Sequence, residues 1–234
     1  AAPPFEPGEL VRALGDGVRG LTLGVPAAEW ARADREVARS GEAALRALER
    51  AGAKLAALEL PLARHSAAIG YLTIALEAAA ALREVEAWHH ADLGHDLRVF
   101  LAAVRAFSPD DYVDAQRARE ALRDEFAAAL RDVDLIALPT TATVAPRVTQ
   151  AEAASGFIDT AALDATCRFV FVGNLLGLPA CSVPVGRDAA GLPIGLQLVG
   201  DAWDEASVLA ASAELERLGI ARAARAPGAL DLIG

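Results

Sequence analysis

The chain has almost no lysine: Lys54 is the only one, the other basic residues are arginines, and 22 basic against 32 acidic residues leave a formal net charge of −10. Basic residues stand beside acidic ones, as in Arg32, Asp34, Arg35 and Glu36. That is the pattern of solvated helix faces, so no nucleic acid partner is expected. Cysteine is equally scarce. Cys167 and Cys181 form no CxxC pair, which excludes a disulfide framework and leaves two small half-buried thiols in a reduced, cytoplasmic setting. No long hydrophobic run occurs. The most apolar stretch, 67–82, is interrupted by Gly70 and Glu77 and falls short of the roughly 20 residues that span a bilayer. A buried helix is expected there, and no membrane partner. Residues 1–10 carry prolines and glutamates where a secretory leader needs a basic start and an apolar centre.

The usual catalytic signatures are missing too. There is no GxSxG elbow, no GxGxxG and no phosphate loop, so no cofactor is expected. A hydrolytic serine needs a base within reach and donors for an oxyanion. Ser40-Gly41 and Ser155-Gly156 lie in no glycine-rich turn after a strand and read as helix-region or loop serines. The four histidines are His65, His89, His90 and His95, three of them in WHHADLGHD. On a helix His89 and Asp92 share a side, but His90 points elsewhere and Gly94 interrupts the geometry before His95. A polar helix end is expected, with no metal site.

What remains is ordinary for a soluble fold: 54% hydrophobic and 23% charged residues over 234 positions. A single domain over 1–234 is expected, able to bury roughly 70% of its unfolded surface. The pattern predicts a strand at 19–26, a helix at 33–51 with Val37, Ala44, Leu45 and Leu48 on one side, and a strand at 54–60. Such a unit pairs its strands in parallel. Helices follow at 66–89, 96–107 and 109–132, the last capped by Ser108 with Pro109 in the first turn. The texture then changes. A strand at 134–138, a polar loop at 139–150 with Thr140, Thr141 and Thr143, a helix at 160–176, strands at 180–185 and 192–199, and a helix at 203–218 complete the chain. The expected class is α/β, a mixed sheet flanked by helices.

The stretch FVGNLLGLPACSVPVGRDAAGLPIGLQLVG, residues 171–200, resembles the C-terminal signature region of the amidase signature family. There an N-x-x-G-L-P-A stretch precedes two strands that end in G-L-P-x-G-L-Q-L-V-G. Asn174, Gly177, Leu178, Pro179, Ala180, Pro184, Gly186, Gly191, Leu192, Pro193, Gly195, Gln197 and Gly200 fall where that pattern places them. DYVDAQRAREALRDEFAAALRDVDLIALPTTATVAP, residues 111–146, resembles the family's long helix, following strand and P-T loop; RGLTLGVP and AKLAALELP have counterparts as well. Val172 and Gly173 depart from the proline and larger residue frequent before the asparagine.

The resemblance implies the C-terminal part of the amidase signature fold. It also implies an amidase, a hydrolase that cleaves carboxamide bonds through a serine acyl-enzyme. The family's two serines and lysine belong to an earlier half with no counterpart here, and Lys54 lies on a peripheral strand. The chain is therefore expected to be truncated and inactive alone, and to take a small amide substrate once complemented by that half. Thr140, Thr141 and Asn174 are the candidate substrate-binding residues, with the loop after Leu138 and the Gly-Leu-Pro turn gathered at one edge of the sheet. Asn174 can equally serve as a turn asparagine. Gln197, in an apolar strand, reads as a structural bracket. Two alternatives stay open: a non-catalytic, amidase-derived interaction protein, and a fragment of the A subunit of a tRNA-dependent amidotransferase. Uncovered strand edges and apolar faces make self-association an expectation in each case.

Overall fold

The computed structural model describes residues 7–155 and 159–222. Positions 1–6, which hold part of the stretch tested above for a leader, Gly156 with the two positions after it, and the last twelve positions lie outside the described residues. Five strands form one mixed sheet: β1 (Thr22–Pro26), β2 (Lys54–Leu58), β3 (Leu135–Pro139), β4 (Ala180–Arg187) and β5 (Pro193–Gly200), in the order β2-β1-β3-β5-β4. β1 runs parallel to β2 and to β3, whereas β5 is antiparallel to both β3 and β4.

The crossover between β1 and β2 is made by α2 (Ala27–Trp30) and α3 (Arg35–Arg50). In α3, Val37, Gly41, Ala44, Leu45 and Leu48 recur at helical spacing and are buried, so one apolar stripe faces the sheet and the charged remainder faces water. Alternation along β3 splits the core in two. Leu135 and Ala137 join Leu196, Leu198 and α3 on one side. Ile136 and Leu138 join Val199 on the other, as the period of two in a strand requires. With α3, the first face is covered by α11 (Glu205–Arg217), against which α1 (Pro7–Ala13) packs.

The second face carries more helices: α4 (Ser66–Ala81), α5 (Arg83–His89), α6 (His95–Val104), α7 (Pro109–Ala129), α9 (Thr160–Cys167) and α10 (Phe171–Leu176), with the short α8 (Gln150–Ser155) in the connection between β3 and α9. α7 begins with a reciprocal capping box, the Asp111 amide donating to the Ser108 hydroxyl and the Ser108 amide to the Asp111 carboxylate.

Two helices expected as single pieces are broken. The stretch 66–89 is divided at Leu82, with a bend of 57° between its two parts. No glycine or proline marks the break. Arg105, just beyond α6, reaches Glu86 at 2.6 Å and ties the second piece to the end of that helix. The stretch 160–176 is divided at residues 168–170, where two backbone carbonyls are taken by tertiary donors: Ser66 Oγ to Arg168 O at 3.2 Å and Gln197 Nε2 to Phe169 O at 3.0 Å. Gln197 is thus the bracket between β5 and this helical segment, and its buried amide has a partner. Among the described residues no single helix is long and apolar enough to cross a membrane.

Candidate functional site

The loop after β3 is held from several sides. The Thr140 amide donates to Gly195 O on β5, and its hydroxyl pairs with Ser182 Oγ on β4 at 2.7 Å. Thr141 Oγ1 donates to Thr143 O within the loop, and Thr143 Oγ1 donates to the Asp34 carboxylate at 2.7 Å. The Asp34 amide donates to Ala142 O, and the Ala142 amide to Ala165 O on α9. Each threonine hydroxyl therefore has a protein partner. A ligand at this loop would have to share or displace one of them.

The Gly-Leu-Pro turn that follows Asn174 leads into β4 beside the end of β5, where the Gly200 amide donates to Pro179 O. Ser182, the partner of the Thr140 hydroxyl, stands two residues beyond Ala180 at the start of β4, about 7 Å along the strand. A Cβ at Gly173, next to Asn174, would lie 3.1 Å from the Ala180 side chain. The first residues of β4 thus connect the loop and the turn.

Asn174 is exposed and lines a cleft of about 580 Å³ on the outer side of the second helical layer. Tyr71, Phe100, Leu163 and Phe171 supply its apolar wall, and Glu77 and Arg119 stand with Asn174 at its polar side. Arg119 Nη1 donates to Gln116 Oε1 at 3.1 Å, and its Nε donates to Leu175 O at the end of α10. Glu77 accepts from Tyr112 Oη at 2.9 Å. A second cleft of about 630 Å³ adjoins it between α4, α6 and α9, with Leu72, Ala75, Val104 and Phe107 in its wall. Tyr71, Phe100 and Leu163 border both. The Phe171 ring packs edge-on against Tyr71, centroids 4.8 Å apart. It also rests directly over Gly70, where a Cβ would lie 2.2 Å from a ring carbon. Burial, and next the Cys167 thiol, push the Tyr71 phenol well above its ordinary range.

No serine lines either cleft. Among the described residues, the one serine hydroxyl bonded to a carboxylate is Ser108, in the cap of α7. Ser182 has Thr140 as its partner, and Ser66 and Ser212 donate to backbone carbonyls. No group of three or more His, Cys, Asp or Glu side chains among the described residues is arranged to hold a metal ion. His89 Nδ1 meets the Asp92 carboxylate at 3.3 Å on an exposed helix end. At the sheet's rim Glu29 is only 3% exposed. Burial pushes its pKa up, while Arg32, 3.7 Å away, and Arg168 pull it down.

The residues that build the clefts, Tyr71, Phe100, Leu163 and Phe171, are absent from the candidates read from the sequence. No local signal gathers them: the three rings stand at 71, 100 and 171 and meet only through the packing of α4, α6 and α10.

Comparison with known proteins places this geometry. A family profile described as Amidase matches residues 2–209. Fatty acid amide hydrolase of Medicago truncatula is 44% identical over 126 residues, 54% of this chain and 21% of its own length. The A subunit of glutamyl-tRNA(Gln) amidotransferase from Granulibacter bethesdensis is 32% identical over 229 residues, 86% of this chain and 44% of its own. The crystal structure of a bacterial aryl acylamidase of the amidase signature family superposes with a TM-score of 0.75 at 24% identity, over 89% of this chain and 46% of that one; it shares the fold. The chain spans between about a fifth and a half of the length of these relatives.

Proposed function

Since the chain belongs to the amidase family, we propose that it supplies the substrate-holding part of an amide-hydrolysing site, and that the adjoining clefts receive the apolar acyl portion of a carboxamide. The observation that carries this reading is the pair of clefts walled by Tyr71, Phe100, Leu163 and Phe171, each of a volume typical of small-molecule sites. A relative named for fatty acid amides supports the same substrate class. In this reading Asn174 and Arg119 offer hydrogen-bond donors at the polar side. Thr140 and Thr141 form a further polar margin toward the edge strand β4. The nucleophile and base come from a polypeptide segment other than residues 7–155 and 159–222, and the protein works in the cytoplasm.

A second reading is favoured by coverage. The relatives that align with most of this chain are amidotransferase A subunits, with 86% and 89% of the chain matched at 32% and 30% identity. For that role the polar side of the cleft, with Glu77, Arg119 and Asn174, is the relevant part, and the ligand is a small polar amide. One titration separates the two: the purified chain against decanamide and against glutamine. The first reading expects decanamide to bind and glutamine not to, with no turnover and no serine labelled by a fluorophosphonate. Preference for glutamine supports the second reading, and stoichiometric labelling of a serine overturns the assignment of the chain as a binding part alone.

A further inference from the structure

The two clefts on the outer layer are one groove interrupted at a single place. Tyr71, on α4, reaches across to α9, and its hydroxyl donates to the Leu163 carbonyl at 3.0 Å. The bond spans the groove at the position where both hollows share their lining, with Phe100 of α6 completing the wall. On the far side Phe171 backs the Tyr71 ring edge-on, so the ring is braced by packing and anchored to α9 at its tip.

We propose that Tyr71 is a length-determining residue: its hydrogen bond to Leu163 closes the groove into two chambers, so that an acyl chain entering from the Asn174 side is stopped after the first. The inference rests on the reading of the groove as an acyl site. Beyond the partition the second chamber is almost wholly apolar, walled by Leu72, Ala75, Val104 and Phe107. An alkyl chain that passed Tyr71 would therefore keep gaining from burial. What prevents it is the ring position, and what fixes the ring position is one hydroxyl.

The test is the affinity of the 234-residue chain for straight-chain primary amides from butanamide to dodecanamide, read by displacement of 1-anilinonaphthalene-8-sulfonate. In the wild type each added methylene strengthens binding roughly fourfold, about 0.8 kcal/mol, until the first chamber is full, after which affinity is flat. Tyr71→Phe keeps the ring and removes the anchor; it moves the break to longer amides and leaves the slope below it unchanged. Phe100→Ala, at a half-buried position, thins the same wall from α6 and moves the break in the same direction. It also carries the test alone if Tyr71→Phe loses a cooperative thermal transition. A break at the same length in the wild type and in both variants overturns the partition and leaves the acyl reading standing. An absence of any length dependence in the wild type overturns both.

Discussion

The two helical layers on this sheet are built to different plans. The layer of α3 and α11 is shallow: its inner side meets Leu135, Leu196 and Leu198, and the short α1 packs against α11. α3 shows this in its sequence, with a single apolar stripe and charge elsewhere. The opposite layer is two tiers deep. α7 and α10 lie on the sheet, α4 packs against both, and α6 packs on α4. α4 has apolar residues on nearly all sides, the composition of a helix that must be covered on every side. The outer tier covers it incompletely, and the remaining hollows are the clefts. A shallower hollow of about 550 Å³ does occur under α3, but it lies at the margin of the sheet, beside edge strand β2, and the paired charges of Glu42 and Arg46 border it. The first layer leaves its hollow at the margin of the sheet, whereas the second leaves room between tiers, where a ligand can be held without disturbing the core.

The largest effect that would break this comparison is on stability. Leu48 of α3 is fully buried and Leu163 of α9 is 39% exposed beside the cleft. Leu48→Ala should destabilise the chain by about 2–5 kcal/mol, whereas Leu163→Ala should cost about 1 kcal/mol or less. Urea unfolding of the two variants measures both. Equal losses would mean that the outer tier is as tightly closed as the inner layer.

A subtler contrast uses two glycines pressed against aromatic rings. An added Cβ at Gly41 would lie 2.1 Å from the Trp30 ring, and one at Gly70 would lie 2.2 Å from the Phe171 ring. Trp30 cannot swing away freely, because its indole donates to Ala137 O at 3.0 Å. Phe171 borders the open cleft. Overpacking costs about 1–3 kcal/mol, and replacing glycine by alanine within a helix returns about 1 kcal/mol. Gly41→Ala should therefore lose about 1–2 kcal/mol net, while Gly70→Ala should stay within about 1 kcal/mol of the wild type and lose capacity for apolar amides. A loss at Gly70 matching that at Gly41 would show that the cleft wall does not yield.

The same contrast explains what the sequence made legible. The strand, helix, strand unit around α3, the parallel pairing it implies, and the antiparallel β4–β5 pair all follow from local periodicity and turn residues. In the shallow layer burial and sequence pattern coincide. In the two-tier layer they separate. A helix apolar on all sides carries no phase, so the break at Leu82, beyond which Glu86 pairs with Arg105, and the break at 168–170, where Ser66 and Gln197 donate to backbone carbonyls, have no local mark. Of the site, Asn174 was legible through its motif and does border a cleft. Thr140 and Thr141 were legible as a strand-end loop, but the Thr140–Ser182 bond that ties this loop to the first residues of β4 depends on the antiparallel order of β5 and β4, which no single segment records.

The smallest expected effect concerns the rim where the two layers meet. Glu29 of α2 is buried there, with Arg32 on its own side and Arg168 and Glu125 facing it from the second layer. Burial outweighs the two arginines and raises its pKa above the ordinary 4.5. The folded state thus binds this proton more tightly than the unfolded one, and between 4.5 and the raised folded value stability falls as pH rises. Above that window the penalty for holding the charged form is constant; below 4.5 it is absent. Glu29→Gln removes the titration and keeps the shape, so it should stabilise the chain at neutral pH and lose that advantage as pH falls from the raised folded value to 4.5. Glu125, whose own pKa is raised mainly by burial, stays in both proteins and contributes equally to each curve. Thermal midpoints of the two proteins from pH 4 to pH 8 give the comparison. A Gln variant less stable than the wild type at neutral pH would mean that Arg32 and Arg168 hold Glu29 as a net favourable ion, and that the rim is tied together by charge as firmly as the α3 layer is by burial.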